Sequence, residues 1–285
     1  MCSASDRACA RGTSGVIGWK LPIDDLVAAA PGAVASLQAD SILPAATGIL
    51  TTDLYAKVSS AEVAGGRIVG IAKGAGMIEP NMATMLAYVL TDIDLPRELL
   101  RDLLSEVVDG SFNSISVDSD QSTSDTLAMV SSGKVPFGGS DAEVAEVRTA
   151  LTAVCRELAE LIVRNGEGCN HLIQVVVTGG ATAAEAKGVG KAIVNSPLFK
   201  CAVAGNDPNV GRLAASIGDY IGNECGGGMD ALANCVITMG GRVLCANGEF
   251  VLDHETETYL MQHMKDAEQV VASAEDGAMK QHFPP

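Results

Sequence analysis

The sequence predicts a mixed α/β fold of layered sheets covered by helices. Three observations carry that reading. Runs rich in β-branched residues intermix with segments of helical periodicity along the whole chain. Apolar residues make up 47% of the 285 residues, enough to fill one large core or two modest ones. No repeat period and no low-complexity tract interrupts the pattern.

Element by element, Arg67–Ala72 and Thr84–Leu90 read as strands. Pro96 suits a first helical position, and Leu99, Leu100, Leu103, Leu104, Val107 and Val108 continue a helix to a stop at Gly110. Ser114–Val117 reads as a short strand. From Ser140 to Val163, the residues Val144, Val147, Leu151, Val154, Leu158 and Leu161 recur at spacings of three and four, which lays one apolar stripe on a helix. Ser140 and Glu143 supply a capping box for it. Leu172–Thr178 reads as another strand, and Thr182 with Glu185 opens a helix bounded by Pro197. Asn234–Thr238 and Arg242–Cys245 read as strands, the latter continuing through Asn247-Gly248 into Phe250–Leu252 as a hairpin. Gly138-Gly139 and Gly226–Gly228 mark turns, and a boundary near residue 180 would open a second lobe.

Composition excludes several functions. A net charge of −16 and a pI near 4.5 repel phosphate backbones and anionic membrane surfaces, so neither nucleic acid nor membrane is an expected partner. No apolar run reaches the length of about 18 residues that a membrane-crossing helix needs, and the chain is expected to be soluble. Eight scattered cysteines without a C-x-x-C pair indicate neither a zinc site nor a disulfide framework and suit a reducing compartment; Cys201, Cys235 and Cys245, set in apolar runs, read as core fillers. Gly188-Val189-Gly190-Lys191 lacks the following hydroxyl of a phosphate-binding loop. Asp118, Asp120 and Asp125 lack the other ligands of a calcium loop and read as a hydrogen-bonding loop; no metal is expected. The four histidines are too isolated to form a metal site, and none is assigned a catalytic role.

The unusual segment is Lys73-Gly74-Ala75-Gly76-Met77-Ile78-Glu79-Pro80-Asn81-Met82-Ala83-Thr84, a Gly-rich turn running into a hydrophobic strand. By spacing alone Thr84 is a β-branched strand residue. A second reading makes it a nucleophile. A hydroxyl needs an adjacent base, and an α-amine freed on the same residue by cleavage after Ala83 would provide one, titrating near about 7.7–8.0.

The blocks around it resemble the glutamate N-acetyltransferase, or ornithine acetyltransferase, family of arginine biosynthesis. The resemblance lies in Lys73-Gly74-x-Gly76-Met77-Ile78-x-Pro80-Asn81-Met82-Ala83-Thr84-Met85-Leu86, and in blocks that follow the family's order: Ser14–Gly18, Thr51-Thr52-Asp53, Phe112–Asp118, Ser122–Thr126, Gly166-Glu167-Gly168, Ser196-Pro197-Leu198, and Asp207-Pro208-Asn209-x-Gly211-Arg212. It covers about residues 13 to 265. The family's segment before Ser14 and its terminal block have no counterpart, so a truncated or divergent member is expected. Ser14 stands where threonine is usual, Asn165 where aspartate is, His171 where lysine is and Val210 where tryptophan is.

The resemblance implies sheets packed between helical layers and a chain divided into 1–83 and 84–285 by self-cleavage at Ala83–Thr84. It implies that Thr84 takes acetyl from N-acetylornithine and passes it to glutamate. Ser14 and Gly15 form the oxyanion hole, and Thr51, Lys73, Thr84 and Glu167 bind substrate. Lys73 would hold a carboxylate and favour the neutral Thr84 amine by like-charge repulsion, and Glu167 would face the substrate ammonium. The implied assembly is a heterotetramer of two cleaved protomers, in mitochondrial matrix or cytoplasm. No cofactor is implied, with acetyl-CoA open as a second acetyl donor. Two alternatives remain: an N-terminal-nucleophile amidohydrolase or aminopeptidase, in which water accepts the acyl group, and an inactive remnant.

Overall fold

The computed structural model describes residues 16, 18–79, 85–123, 125–226, 233 and 235–269. In chain order the elements are α1 (Ile23–Ala35), α2 (Leu43–Gly48), β1 (Lys57–Val63), β2 (Gly66–Lys73), β3 (Leu86–Ile93), α3 (Arg97–Asp109), β4 (Thr126–Val135), α4 (Asp141–Arg164), α5 (Ala183–Asn195), α6 (Pro197–Ala204), α7 (Val210–Glu224), β5 (Ile237–Met239), β6 (Arg242–Ala246), β7 (Glu249–Phe250) and α8 (His254–Asp266). The mixed α/β class expected from the sequence holds.

β1 and β2 form a hairpin through Ala64-Gly65, whose φ angles of 49° and 73° give the mirror-image turn that matches strand twist. β2 pairs antiparallel with β3, and β3 pairs parallel with β4 across the α3 connection, giving the order β1-β2-β3-β4. Alternation puts Ile68 and Ala72 of β2 and Ala87, Val89 and Ile93 of β3 into one core with Val147, Leu151, Val154, Leu158 and Ile162 of α4. Gly70 sits where that helix comes closest: a Cβ there would lie 2.6 Å from Leu158 Cδ1. α4 begins at the expected capping box, Glu143 N–H donating to Ser140 Oγ at 3.3 Å while Ser140 N–H donates to the Glu143 carboxylate at 3.1 Å.

A second core, beginning at Ile173, gathers Ile193, Phe199, Val203, Leu213, Ile217, Ile237, Cys245 and Met264 around the antiparallel sheet β5-β6-β7. Asn247 (φ 53°) and Gly248 (φ 76°) make the expected hairpin turn. Polar contacts join the two cores: Lys187 Nζ to Asp109 Oδ1 at 2.7 Å, Lys191 Nζ to Ile115 O at 2.6 Å, and Lys200 Nζ to Val117 O.

Several expectations need correction. Ser114–Val117 is no strand: a 3-10 turn, Phe112–Ser114, leads into irregular chain whose Val117 N–H donates to Ile78 O at 2.6 Å. Leu172–Thr178 alternates as expected, with Ile173 and Val175 packed on the second core, but it has no strand partner among the described residues. Pro96 caps α3 instead of opening it. Cys201 is exposed on α6, Cys235 is half-buried and Cys245 is core.

Gly70→Val should lower stability by about 1–3 kcal/mol, because α4 must shift to accommodate it. Gly222→Ala, in α7 with open space around its α-carbon, should raise stability by about 0.5–1 kcal/mol. Urea unfolding of the two variants checks both signs.

Candidate active site

Lys73 closes β2 and is buried, and the chain after it turns back at Gly74, whose φ of 152° suits glycine. A Cβ at Gly74 would meet Ile78 Cδ1 at 2.8 Å. The Lys73–Glu79 loop is then held at nearly every residue. Gly74 N–H donates to Asp53 Oδ1 at 2.6 Å. Ala75 O accepts from Glu167 N–H at 2.8 Å. Met77 and Ile78 N–H groups donate to the two oxygens of Asp118 at 2.6 and 2.9 Å. The Glu79 carboxylate accepts from Asn195 Nδ2 at 2.7 Å and faces Lys191 Nζ at 3.3 Å. Hydrogen bonds from backbone N–H groups to carboxylates are among the stronger kinds. They also hold Met77 at a φ of 55°, which a non-glycine residue rarely adopts.

Behind the loop lies a buried ion pair. Lys57 Nζ and Asp53 Oδ1 are 2.6 Å apart with both side chains fully buried. Lys57 Nζ also donates to Asn165 Oδ1 at 2.7 Å and stands 4.9 Å from the centre of the Tyr55 ring. Asn165, the C-cap of α4, accepts Leu54 N–H on the same oxygen at 3.0 Å. Its orientation is thereby fixed, and its buried Nδ2 has no hydrogen-bond partner among the described residues. Burial pushes the Asp53 carboxyl up, but the Lys57 ammonium and the Gly74 and Thr51 N–H groups outweigh it and hold the carboxyl below its ordinary value.

The structure brings three of the expected site residues to this loop. Lys73 begins it. Thr51 is exposed and donates its N–H to Asp53 Oδ2 at 3.2 Å, the same carboxylate that holds Gly74. Glu167 follows the end of α4, and its exposed carboxyl lies against Gly76, where a Cβ would come within 2.9 Å of Glu167 Cδ. Gly166 is equally constrained, with Cys169 Sγ 2.5 Å from an added Cβ. Ser14, Gly15, Ala83 and Thr84 lie outside the described residues. Sequence reasoning missed Asp53, Lys57 and Asn165 as a group, because Asn165 reaches the Asp53–Lys57 pair from 108 residues away. Asp118 does behave as the hydrogen-bonding residue expected of its loop. His171 is spent on structure, its Nε2 lying 3.0 Å from Met264 O.

Removing one partner of a buried pair strands the other charge. Asp53→Asn should therefore cost about 3–5 kcal/mol in urea unfolding. The double variant Asp53→Leu/Lys57→Met should be less destabilised than the sum of its two single variants.

The sequence profile of the ArgJ family matches residues 2–282. "Arginine biosynthesis bifunctional protein ArgJ 2" of Nostoc sp. is 45% identical over 206 residues, covering 72% of this chain and 52% of that protein. The protein named "Arginine biosynthesis bifunctional protein ArgJ" in Gluconobacter oxydans is 40% identical over 268 residues, covering 91% of this chain and 62% of its own. The chain thus spans about half the length of several curated relatives it matches. The crystal structure of arginine biosynthesis bifunctional protein ArgJ from Bacillus halodurans superposes with a TM-score of 0.57 at 33% identity, covering 63% of this chain and 82% of that one. On a profile match that runs almost end to end and on these relatives, the chain belongs to the ArgJ family.

Proposed function

We propose that this chain is a self-processing N-acetyltransferase of arginine biosynthesis, which moves acetyl from N-acetylornithine to glutamate through an acyl-enzyme on Thr84. The observation that carries the proposal is the convergence of Thr51, Lys73 and Glu167 on one braced loop, which runs in sequence straight to the Ala83–Thr84 bond. The names of the relatives support the same pathway.

In this reading cleavage frees the Thr84 α-amine, which takes the hydroxyl proton as Oγ attacks the acetyl carbonyl of N-acetylornithine. Ser14 and Gly15 donate to the tetrahedral oxyanion, a contribution worth about 2.7–4 kcal/mol per donor in comparable sites. Ornithine leaves with the proton, glutamate enters, and its amine attacks the acyl-threonine. Lys73 offers an ammonium to a substrate carboxylate. The exposed Glu167 carboxylate offers a partner to the α-ammonium that ornithine presents on leaving and glutamate on entering, whereas the α-nitrogen of N-acetylornithine is an uncharged amide. The two halves, 1–83 and 84–285, stay together in this proposal, and two cleaved protomers form the working tetramer.

N-acetylglutamate formation from N-acetylornithine and glutamate should follow ping-pong kinetics and be absent in Thr84→Ala. Acetate released at the same rate with and without glutamate would instead identify a hydrolase. Glu167→Gln should raise KM about tenfold or more through loss of a charged hydrogen bond, with self-cleavage unchanged.

A further inference from the structure

We propose that Lys191 is a positioning residue for the substrate site, acting through Glu79 to hold the far end of the Lys73–Glu79 loop. The inference rests on the acetyltransferase reading above and adds that the second core takes part in presenting the loop to substrate.

Lys187, Lys191 and Asn195 follow one another at four-residue spacing and so share one face of α5. That face makes three polar contacts across to the first core and its loop. Lys187 Nζ reaches Asp109 Oδ1, at the end of α3, at 2.7 Å. Lys191 Nζ donates to Ile115 O at 2.6 Å and stands 3.3 Å from Glu79 Oε1. Asn195 Nδ2 donates to that same Glu79 oxygen at 2.7 Å.

The contacts of Lys191 converge on two pieces of chain that are bonded to each other. Ile115 opens the segment whose Val117 N–H donates to Ile78 O at 2.6 Å and whose Asp118 carboxylate accepts the Met77 and Ile78 N–H groups. One ammonium thus fixes both Glu79, the last residue of the loop, and the segment that pairs with Met77 and Ile78. The Lys191 and Glu79 side chains are 19% and 17% exposed, so water screens the pair weakly, and a neutral replacement of either would leave the other charge short of its partner. Burial pushes the Lys191 ammonium below its ordinary value, and the Glu79 carboxylate pulls it back only in part.

The loop carries this restraint to the site. Four residues upstream of Glu79, Ala75 O accepts from Glu167 N–H at 2.8 Å, and the Glu167 carboxyl lies against Gly76. A shift at Glu79 therefore moves the loop against Glu167, the residue read above as the partner of the glutamate α-ammonium. Lys187 makes a contact of similar length from the same helix face but reaches Asp109 instead of the loop, which separates joining the two cores from positioning the loop.

The test is steady-state transfer of acetyl from N-acetylornithine to glutamate by the wild-type chain, Lys191→Met, Glu79→Gln, their double variant and Lys187→Met. Glu79→Gln keeps an oxygen for Asn195 and removes the charge. Lys191→Met and Glu79→Gln should each raise KM for glutamate about tenfold with kcat within about twofold, and the double variant should be no worse than the worse of the two. Lys187→Met should leave KM within about twofold of wild type. Unchanged KM in Glu79→Gln overturns the proposal whether or not Lys191→Met folds. Additive effects in the double variant overturn it, as does a fall in kcat at unchanged KM. A rise in KM in Lys187→Met equal to that in Lys191→Met makes Lys191 a link between cores and also overturns it. A wild-type chain that transfers no acetyl overturns the acetyltransferase reading and this inference with it.

Discussion

The Asp53 carboxylate makes three contacts on which the loop geometry depends: the Lys57 ammonium, the Gly74 N–H and the Thr51 N–H. Lys57 is fully buried, so its charge must be met on the spot, and Asp53 and Asn165 meet it at 2.6 and 2.7 Å. A buried pair of this kind adds little net stability compared with apolar residues, because desolvation offsets much of the attraction. Its effect is on geometry. A carboxylate anchored by a buried ammonium cannot move away from Gly74, and the exit angle of the chain from β2 is set there.

The brace reaches the loop from three elements far apart in sequence. Asp53 precedes β1, Asp118 follows the 3-10 turn, and Glu167 follows α4. The long helix links core and site. Its apolar stripe fixes the sheet, and the residues that follow it, Asn165 through Glu167, fix the ion pair and the middle of the loop. Distortion of α4 packing at Gly70 therefore propagates to the site through a continuous set of contacts.

Legibility in the sequence followed how local each determinant is. α4 could be read almost to the residue, since its stripe and its capping box lie within one element. The β5–β7 sheet was legible in part, through Asn247-Gly248. β1 was not read as a strand, because its core-facing positions include Lys57 and Ser59; partners outside the strand, Asp53 and Glu157, make their burial tolerable, and alternation rules do not see them. β4 was missed because none of its residues is fully buried. Leu172–Thr178 shows the opposite failure, a strand pattern without a partner among the described residues. At the site, Thr51, Lys73 and Glu167 were nameable from family blocks, whereas Asp53 binds backbone 21 residues away and Asp118 binds backbone 41 and 40 residues away, beyond any local pattern.

The braced loop, backed by the buried pair, lies just before the Ala83–Thr84 bond in sequence, and self-cleavage of that bond is the central claim of the proposed function. The intact mass of the purified wild-type chain tests that most directly. The account predicts two fragments, the larger beginning with Thr84, in place of the full 29.2 kDa chain. A single species of full mass after prolonged incubation of folded protein would contradict it.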